Sequence, residues 1–169
     1  MQQTSASPIP MDRFSSLSPS DLNPMERNSL VHLALEVLKE EHRPGRMLCN
    51  PGDSRDYLQL RMAGYVTEVF GVMFLDNRHR IIADEELFQG TVDGASVHPR
   101  VVVQKALAVN AAAVILYHNH PSGIPEPSQA DQGITKRLKE VLSLVDIRVL
   151  DHLVVGAEGV VSLAERGLI

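Results

Sequence analysis

The spacing of apolar positions changes twice along the chain. Residues 1–21 are rich in Ser, Pro and Gln and thin in apolar side chains. Such a composition cannot offset its own ordering entropy, so a mobile leader is expected there. Leu30, Leu33, Ala34, Val37 and Leu38 then recur at helical spacing. Asn23-Pro24-Met25-Glu26 supplies the start signal: an Asn N-cap, Pro at the first helical position and Glu at the third. Pro44-Gly45 stops this helix, and a short second helix is expected from Asp53 or Ser54 to Gly64, so residues 22–64 read as a helical segment.

From Val66 the pattern becomes that of strands. "VTEVFGVMFLD" is β-branched and aromatic and runs into Asp76-Asn77, which has turn chemistry. "HRIIAD" reads as its hairpin partner and "LFQGTV" as a further short strand, with the acidic "ADEEL" as a turn between them. "HPRVVVQKALAVNA" is expected to be helical, with Pro99 in its first turn. "AAVILYH" is expected to be a buried strand. Ser128 to Val145 is the most regular helix, with Ile134, Leu138, Val141, Leu142 and Val145 on one face. "IRVLDHLVVG" and "VVSLAE" close the chain as strands. Strands interleaved with helices predict a layered α/β sandwich with a mixed sheet over residues 65–169.

Composition narrows the function classes. At 169 residues the chain can bury a core without staples. Its single cysteine, Cys49, excludes a disulfide framework and any zinc site built on two thiolates. A net charge of −5 argues against broad attraction to phosphate backbones, so direct DNA binding is not expected. No apolar run approaches the roughly 20 residues that span a bilayer, and the N-terminus lacks a basic start followed by an apolar core. A cytoplasmic protein without membrane contact is the expectation.

The stretch that carries chemistry is "LYHNHPSGIPEPSQAD", Leu116 to Asp131. Residues i and i+2 of a strand share a face, so His118 and His120 can aim two imidazoles at one point. Asp131 lies three residues before Ile134, on the inward stripe of the next helix, and in its first turn. A carboxylate there is out of place unless something positive meets it. A plainer reading competes: "SQAD" is also a capping box, with Ser128 as N-cap and Asp131 at the third position. Pro121, Gly123, Pro125 and Pro127 stiffen the loop between the two halves, as a preorganised site requires.

"HNHPSGIPEPSQAD" resembles the metal-binding signature of the JAB/MPN metalloproteases, H-x-H-P followed by a spaced S-x-x-D. "LFQGTVDGASVHPR", "NAAAVILYHNHPSG", "PEPSQAD" and "VLDHLVVG" resemble the RadC-like branch, in the same order, over roughly Asp53 to Ile169. The resemblance implies a zinc hydrolase on an α/β sandwich similar to that of cytidine deaminases. The deaminase P-C-x-x-C half-site is impossible here with one cysteine. By that resemblance His118, His120 and Asp131 are the ligands of one Zn2+ whose fourth position holds water. Ser128 is implied to bind that water or the oxyanion. A glutamate on an earlier strand is the family's general base, and Glu68 fits that position, in alternation with Phe70, Val72 and Phe74. Glu85 and Glu86 are its rivals. His152, in an Asp151-His152 pair that the family shares, is either a support for the site or a hydrogen-bonded core histidine. Asn119 is expected to face away from the ligands and tie down the loop, and His79, His98 and Cys49 receive no role.

Two departures from the resemblance stand out. A helix-hairpin-helix-like segment is expected to be missing, which weakens any inherited DNA-binding role. Val101 also stands where relatives commonly carry glutamate. The expected function is a zinc-dependent hydrolase of a peptide, isopeptide or related amide bond in a peptide or protein substrate. The rival is a non-enzymatic interaction module of DNA repair or recombination that keeps the fold.

Overall fold

A computed structural model describes residues 14, 17–41, 43–45, 47, 51–90 and 96–169. It divides into two compact units, Met1–Ala34 and Leu35–Ile169. Of the expected leader, a short 3-10 turn at Pro19–Asp21, capped by Ser18, is described. Most of the leader, and Cys49, lie outside the described residues.

Helix α1 (Pro24–Glu41) starts as its sequence predicts. The Asn23 Oδ1 accepts the N–H groups of Met25 and Glu26 at 2.9 and 3.0 Å, and the Glu26 carboxylate accepts the Asn23 N–H at 2.8 Å. Its expected apolar stripe is not a buried one. Leu30, Leu33 and Val37 are 39, 50 and 54% exposed, while Leu38 packs against the cluster of Tyr57, Leu58 and Met62. Helical spacing identifies the face that would be buried, and only a packed partner buries it.

The larger unit is a three-layer sandwich. A five-stranded mixed sheet runs in the order β2-β1-β3-β4-β5. The strands are β1 (Val69–Leu75), β2 (Ile81–Gln89), β3 (Ala113–Asn119), β4 (Arg148–Gly156) and β5 (Gly159–Ser162). Helix α2 (Pro51–Met62) covers one face through Tyr57, Leu58 and Met62, against Val69, Met73, Tyr117, Leu153 and Val155. Helices α3 (Pro99–Ala108) and α4 (Gln129–Ser143) cover the other, where Val102, Ala106, Leu138 and Leu142 meet Phe70, Val72, Phe74, Val114 and Leu116. Along β1 and β3 the side chains alternate between these two clusters, the period-two geometry of strands, while Leu75 and Ala113 at the strand ends form a third cluster with Ile81. β3 and β4 are parallel and joined through α4. A parallel pair needs such a crossover, and it delivers the helix N-terminus to the carboxyl end of β3.

One expected turn is absent. "HRIIAD" and "LFQGTV" are not two strands; residues 81–89 form the single strand β2, which passes through "ADEEL" with one register shift opposite Phe70/Gly71. Thr91 and Val92 lie outside the described residues. The acidic run is compatible with a strand because it is an edge strand whose charges are met. Glu85 pairs with Lys105 at 2.6 Å. Asp84 and Glu86 pair with Arg61 of α2 at 2.5 and 2.6 Å.

Arg61 is the centre of a clamp that holds α2 to the sheet. Tyr117 and Tyr57 donate their hydroxyls to Asp84 at 2.6 and 3.2 Å, and Tyr65 donates to Glu86 at 2.7 Å. The Arg61 guanidinium lies 5.7 and 5.8 Å from the ring centres of Tyr57 and Tyr117. Burial, reinforced by the charge of Asp84, pushes the Tyr57 phenol up to about 12. Room for the Tyr117 ring comes from Gly71 on β1: a Cβ there would sit 2.1 Å from the Tyr117 Cζ. Gly71→Ala is therefore expected to destabilise the fold by about 1–3 kcal/mol through overpacking. In urea denaturation, Gly71→Ala combined with Tyr117→Leu should cost less than the sum of the two single changes.

Candidate metal centre

His118 lies near the end of β3 and is 1% exposed. His120 lies one residue beyond the strand, yet its N–H still donates to the Val155 carbonyl of β4 at 2.8 Å. The strand geometry therefore persists far enough to put both rings on one side. Their Nε2 atoms are 3.0 Å apart. The connecting loop is tied at several points. The Gly123 N–H donates to the His120 carbonyl at 3.0 Å, and Arg166 pairs with Glu126 at 2.6 Å. Gly156 is required beneath the loop, since a Cβ there would meet the Gly123 carbonyl oxygen at 2.3 Å.

Ser128 and Asp131 form the capping box of α4. The Asp131 Oδ2 accepts the N–H of Ser128 at 2.7 Å and its hydroxyl at 2.6 Å, while the Asp131 N–H donates to the Ser128 Oγ at 3.1 Å. The same carboxylate turns its oxygens to the histidines, Oδ1 lying 3.3 Å from His118 Nε2 and Oδ2 3.4 Å from His120 Nε2. The capping and the site-facing readings of Asp131 thus hold together. Burial by itself would raise the Asp131 pKa, but its contacts with the His118 and His120 imidazoles, together with the bond from Ser128, outweigh it and hold the carboxyl well below the usual range. In return the Asp131 carboxylate, against the cost of burial and aided by the Ile124 carbonyl, raises His120.

These spacings suit a metal ion. His118, His120 and Asp131 each offer one ligand atom, all within 4.8 Å of one another. Two donors at about 2.0–2.1 Å from a tetrahedral zinc stand roughly 3.3 Å apart; the two Nε2 atoms here are 3.0 Å apart, with Asp131 Oδ1 3.3 Å from one and Oδ2 3.4 Å from the other. The Nδ1 of His120 faces the Ile124 carbonyl at 2.9 Å. A carbonyl only accepts, so in the neutral ring Nδ1 carries the proton and Nε2 presents a bare lone pair. A concentration of lone pairs on one spot is what a cation relieves.

Glu68 stands one residue ahead of β1, half-buried. Phe70 pairs with His118 across β1 and β3, and extending that register by two residues puts Glu68 level with His120. Its charge contributes to the raised His120 pKa. Asn119, between the two histidines, grips the backbone on both sides of Glu68. Its Oδ1 accepts the Val69 N–H at 2.8 Å, and its Nδ2 donates to the Thr67 carbonyl at 3.0 Å. Its amide thus faces away from the ligand rings and ties down the Glu68 segment rather than the proline loop. Glu85 and Glu86 are engaged with Lys105 and Arg61. His79 occupies a left-handed turn position and His98 the N-cap position of α3.

His152 of β4 is fully buried beside His118, and burial followed by the nearby His118 pushes its pKa well below the ordinary value. Its neighbour Asp151 does a separate job, accepting the Ser162 hydroxyl at 2.6 Å and the Ala164 N–H at 3.0 Å to fasten the C-terminal turn. Sequence reading missed Thr135, which touches both His152 and the Asp131 backbone. Its signal is a polar residue four places after Asp131, on the same inward helical face.

The family model of the RadC-like JAB domain matches residues 48–168. The chain belongs to the RadC-like JAB family. A UPF0758 protein of Thioalkalivibrio sulfidiphilus is 61% identical over 141 residues, covering 83% of this chain and 63% of that relative. One of Marinobacter nauticus is 59% identical over 138 residues, covering 82% and 62%. One of Vibrio cholerae is 59% identical over 134 residues, covering 79% and 84%. The chain spans somewhat less than two thirds of the length of the first two relatives. Among the described residues, no helix is long and apolar enough to cross a membrane.

Two outcomes follow from this geometry. Metal uptake at His120 displaces a proton whose affinity Asp131 has raised, so zinc affinity should fall as pH drops from about 8 to about 6. A chelator competition series across that range measures it. Ser128→Ala removes the cap and is expected to cost about 1 kcal/mol of stability in chemical denaturation.

Proposed function

We propose that this RadC-like protein is a zinc-dependent hydrolase that cleaves a peptide, isopeptide or related amide bond with water. The reading rests on one observation above the rest. Two imidazole nitrogens and a carboxylate converge within 4.8 Å of one another, and Glu68 stands beside them. The donor set is borderline-soft nitrogen with one oxygen, and His118, His120 and Asp131 would hold the ion through three protein ligands. Three protein ligands with one open position is the pattern of catalytic zinc sites, whereas structural sites use four. The family supplies the coarser statement, a possible metal-dependent hydrolase.

When bound, zinc supplies Lewis acidity, lowering the pKa of a water and polarising a carbonyl oxygen. The chain's own residues do the rest. Glu68 accepts the proton of the attacking water and returns it to the leaving amine, a single carboxylate serving as base and then acid. Asn119 fixes the backbone that carries Glu68. Ser128 stabilises the oxyanion of the tetrahedral intermediate by turning its hydroxyl from Asp131, where it now donates, towards the substrate. The substrate is a peptide or protein amide. The acidic chain gives no reason to place DNA at the site.

Metal analysis of the purified protein tests the reading. About one zinc per chain is expected in wild type, with loss in His120→Ala and Asp131→Ala. Glu68→Gln is expected to keep the metal and lower turnover of amide or isopeptide substrates by roughly 10²–10⁴-fold. A folded wild-type protein that stays metal-free after zinc is supplied overturns the hydrolase and leaves the non-enzymatic interaction module.

A further inference from the structure

The two histidines of the centre differ in what holds their second nitrogen. For His120 it is the Ile124 carbonyl, which only accepts, so its tautomer follows at once. For His118 it is another imidazole: its Nδ1 lies 2.9 Å from His152 Nε2, and an imidazole nitrogen can donate or accept. That contact leaves the His118 tautomer open. Were His152 to donate, the proton of neutral His118 would sit on Nε2 and block the ligand position.

The next two contacts settle the direction. His152 Nδ1 lies 2.5 Å from the Thr135 Oγ1, and the Thr135 hydroxyl donates to the Asp131 carbonyl oxygen at 2.5 Å. A hydroxyl has one proton, so a Thr135 that donates to Asp131 must accept from His152 Nδ1–H. His152 then has a bare Nε2 and must accept from His118 Nδ1–H, which leaves His118 Nε2 bare and facing Asp131. The polarity runs one way, from His118 through His152 and Thr135 to a carbonyl that cannot reverse it. His152 and Thr135 are fully or nearly fully buried, so water does not compete for these bonds. Phe70 closes the side of the chain, with ring centres 5.5 Å from His152 and 6.2 Å from His118.

We infer that His152 and Thr135 are positioning residues that preset the metal-binding tautomer of His118, tying the strand that carries one ligand to the helix backbone that carries another. Neither would touch the ion. Partners of this kind are worth roughly 10–100-fold in metal affinity. The inference rests on the metal-site reading above, but the tautomers exist without metal and can be read independently.

The first measurement is ring-nitrogen NMR of ¹⁵N-labelled, zinc-free wild-type protein. The expected result is His152 protonated on Nδ1 with a bare Nε2, and His118 carrying a proton on Nδ1. A His152 protonated on Nε2 overturns the inference. The second is zinc affinity by chelator competition, with folding checked by circular dichroism. Thr135→Val keeps shape but removes the hydroxyl, and is expected to weaken zinc binding about tenfold or more, with Thr135→Ser restoring it. A folded Thr135→Val that binds zinc like wild type also overturns it. If Thr135→Val does not fold, the wild-type ring spectrum decides alone. A wild type that binds no zinc yet shows the expected His152 tautomer would sink the hydrolase and leave the relay standing.

Discussion

Two imidazole nitrogens 3.0 Å apart, with a carboxylate 3.3 and 3.4 Å away, cannot all be neutral donors of lone pairs at no cost. They are stable together only around shared positive charge, a proton or a metal ion. Most of the larger unit keeps them in this arrangement. β3 fixes His118 and, through the backbone bond to Val155, His120. The crossover to the parallel strand β4 brings the first turn of α4 back to the carboxyl end of β3, which is where α/β sheets place ligand sites. Asp131 arrives on that turn already oriented by the capping box.

The same backbone logic reaches the glutamate. Asn119 alternates with His118 and His120, so it points to the opposite face, where α2 packs. Its amide bonds to the backbone on each side of Glu68, which fastens the segment leading into β1 to the strand that carries His118. On that face the Arg61 cluster then pins α2 to β2 and β3. Its pairs are partly buried, so their value lies less in net stability than in fixing one arrangement: breaking any member would leave a charge facing a shielded surface.

How much of this was legible in the chain depends on whether the signal was local. The element types of the α/β sandwich were readable because each rests on spacing or turn chemistry within about ten residues. α4 carries its cap and apolar stripe in plain view. β2 was misread as two strands because three consecutive acids look like a turn until Arg61 and Lys105 are known to face them, and both lie about 20 residues or more away in sequence. The apolar spacing of α1 likewise says which face is greasy, and says nothing about whether a partner covers it.

The sequence by itself determined the mixed α/β class, the strand–loop–helix corner from Leu116 to Asp131, and the pairing of His118 with His120, since a period of two and a stiff loop are properties of adjacent residues. Only the tertiary structure decided which atoms meet. It brought Asp131 to both rings, set Glu68 level with His120, and laid His152 and Thr135 behind His118. Those contacts join β1, β3, α4 and β4, and Glu68 lies 50 or more residues from the histidines it faces. Distances across a sheet depend on strand order and register, and a one-residue slip in a strand would have turned its side chain in this group to the other face.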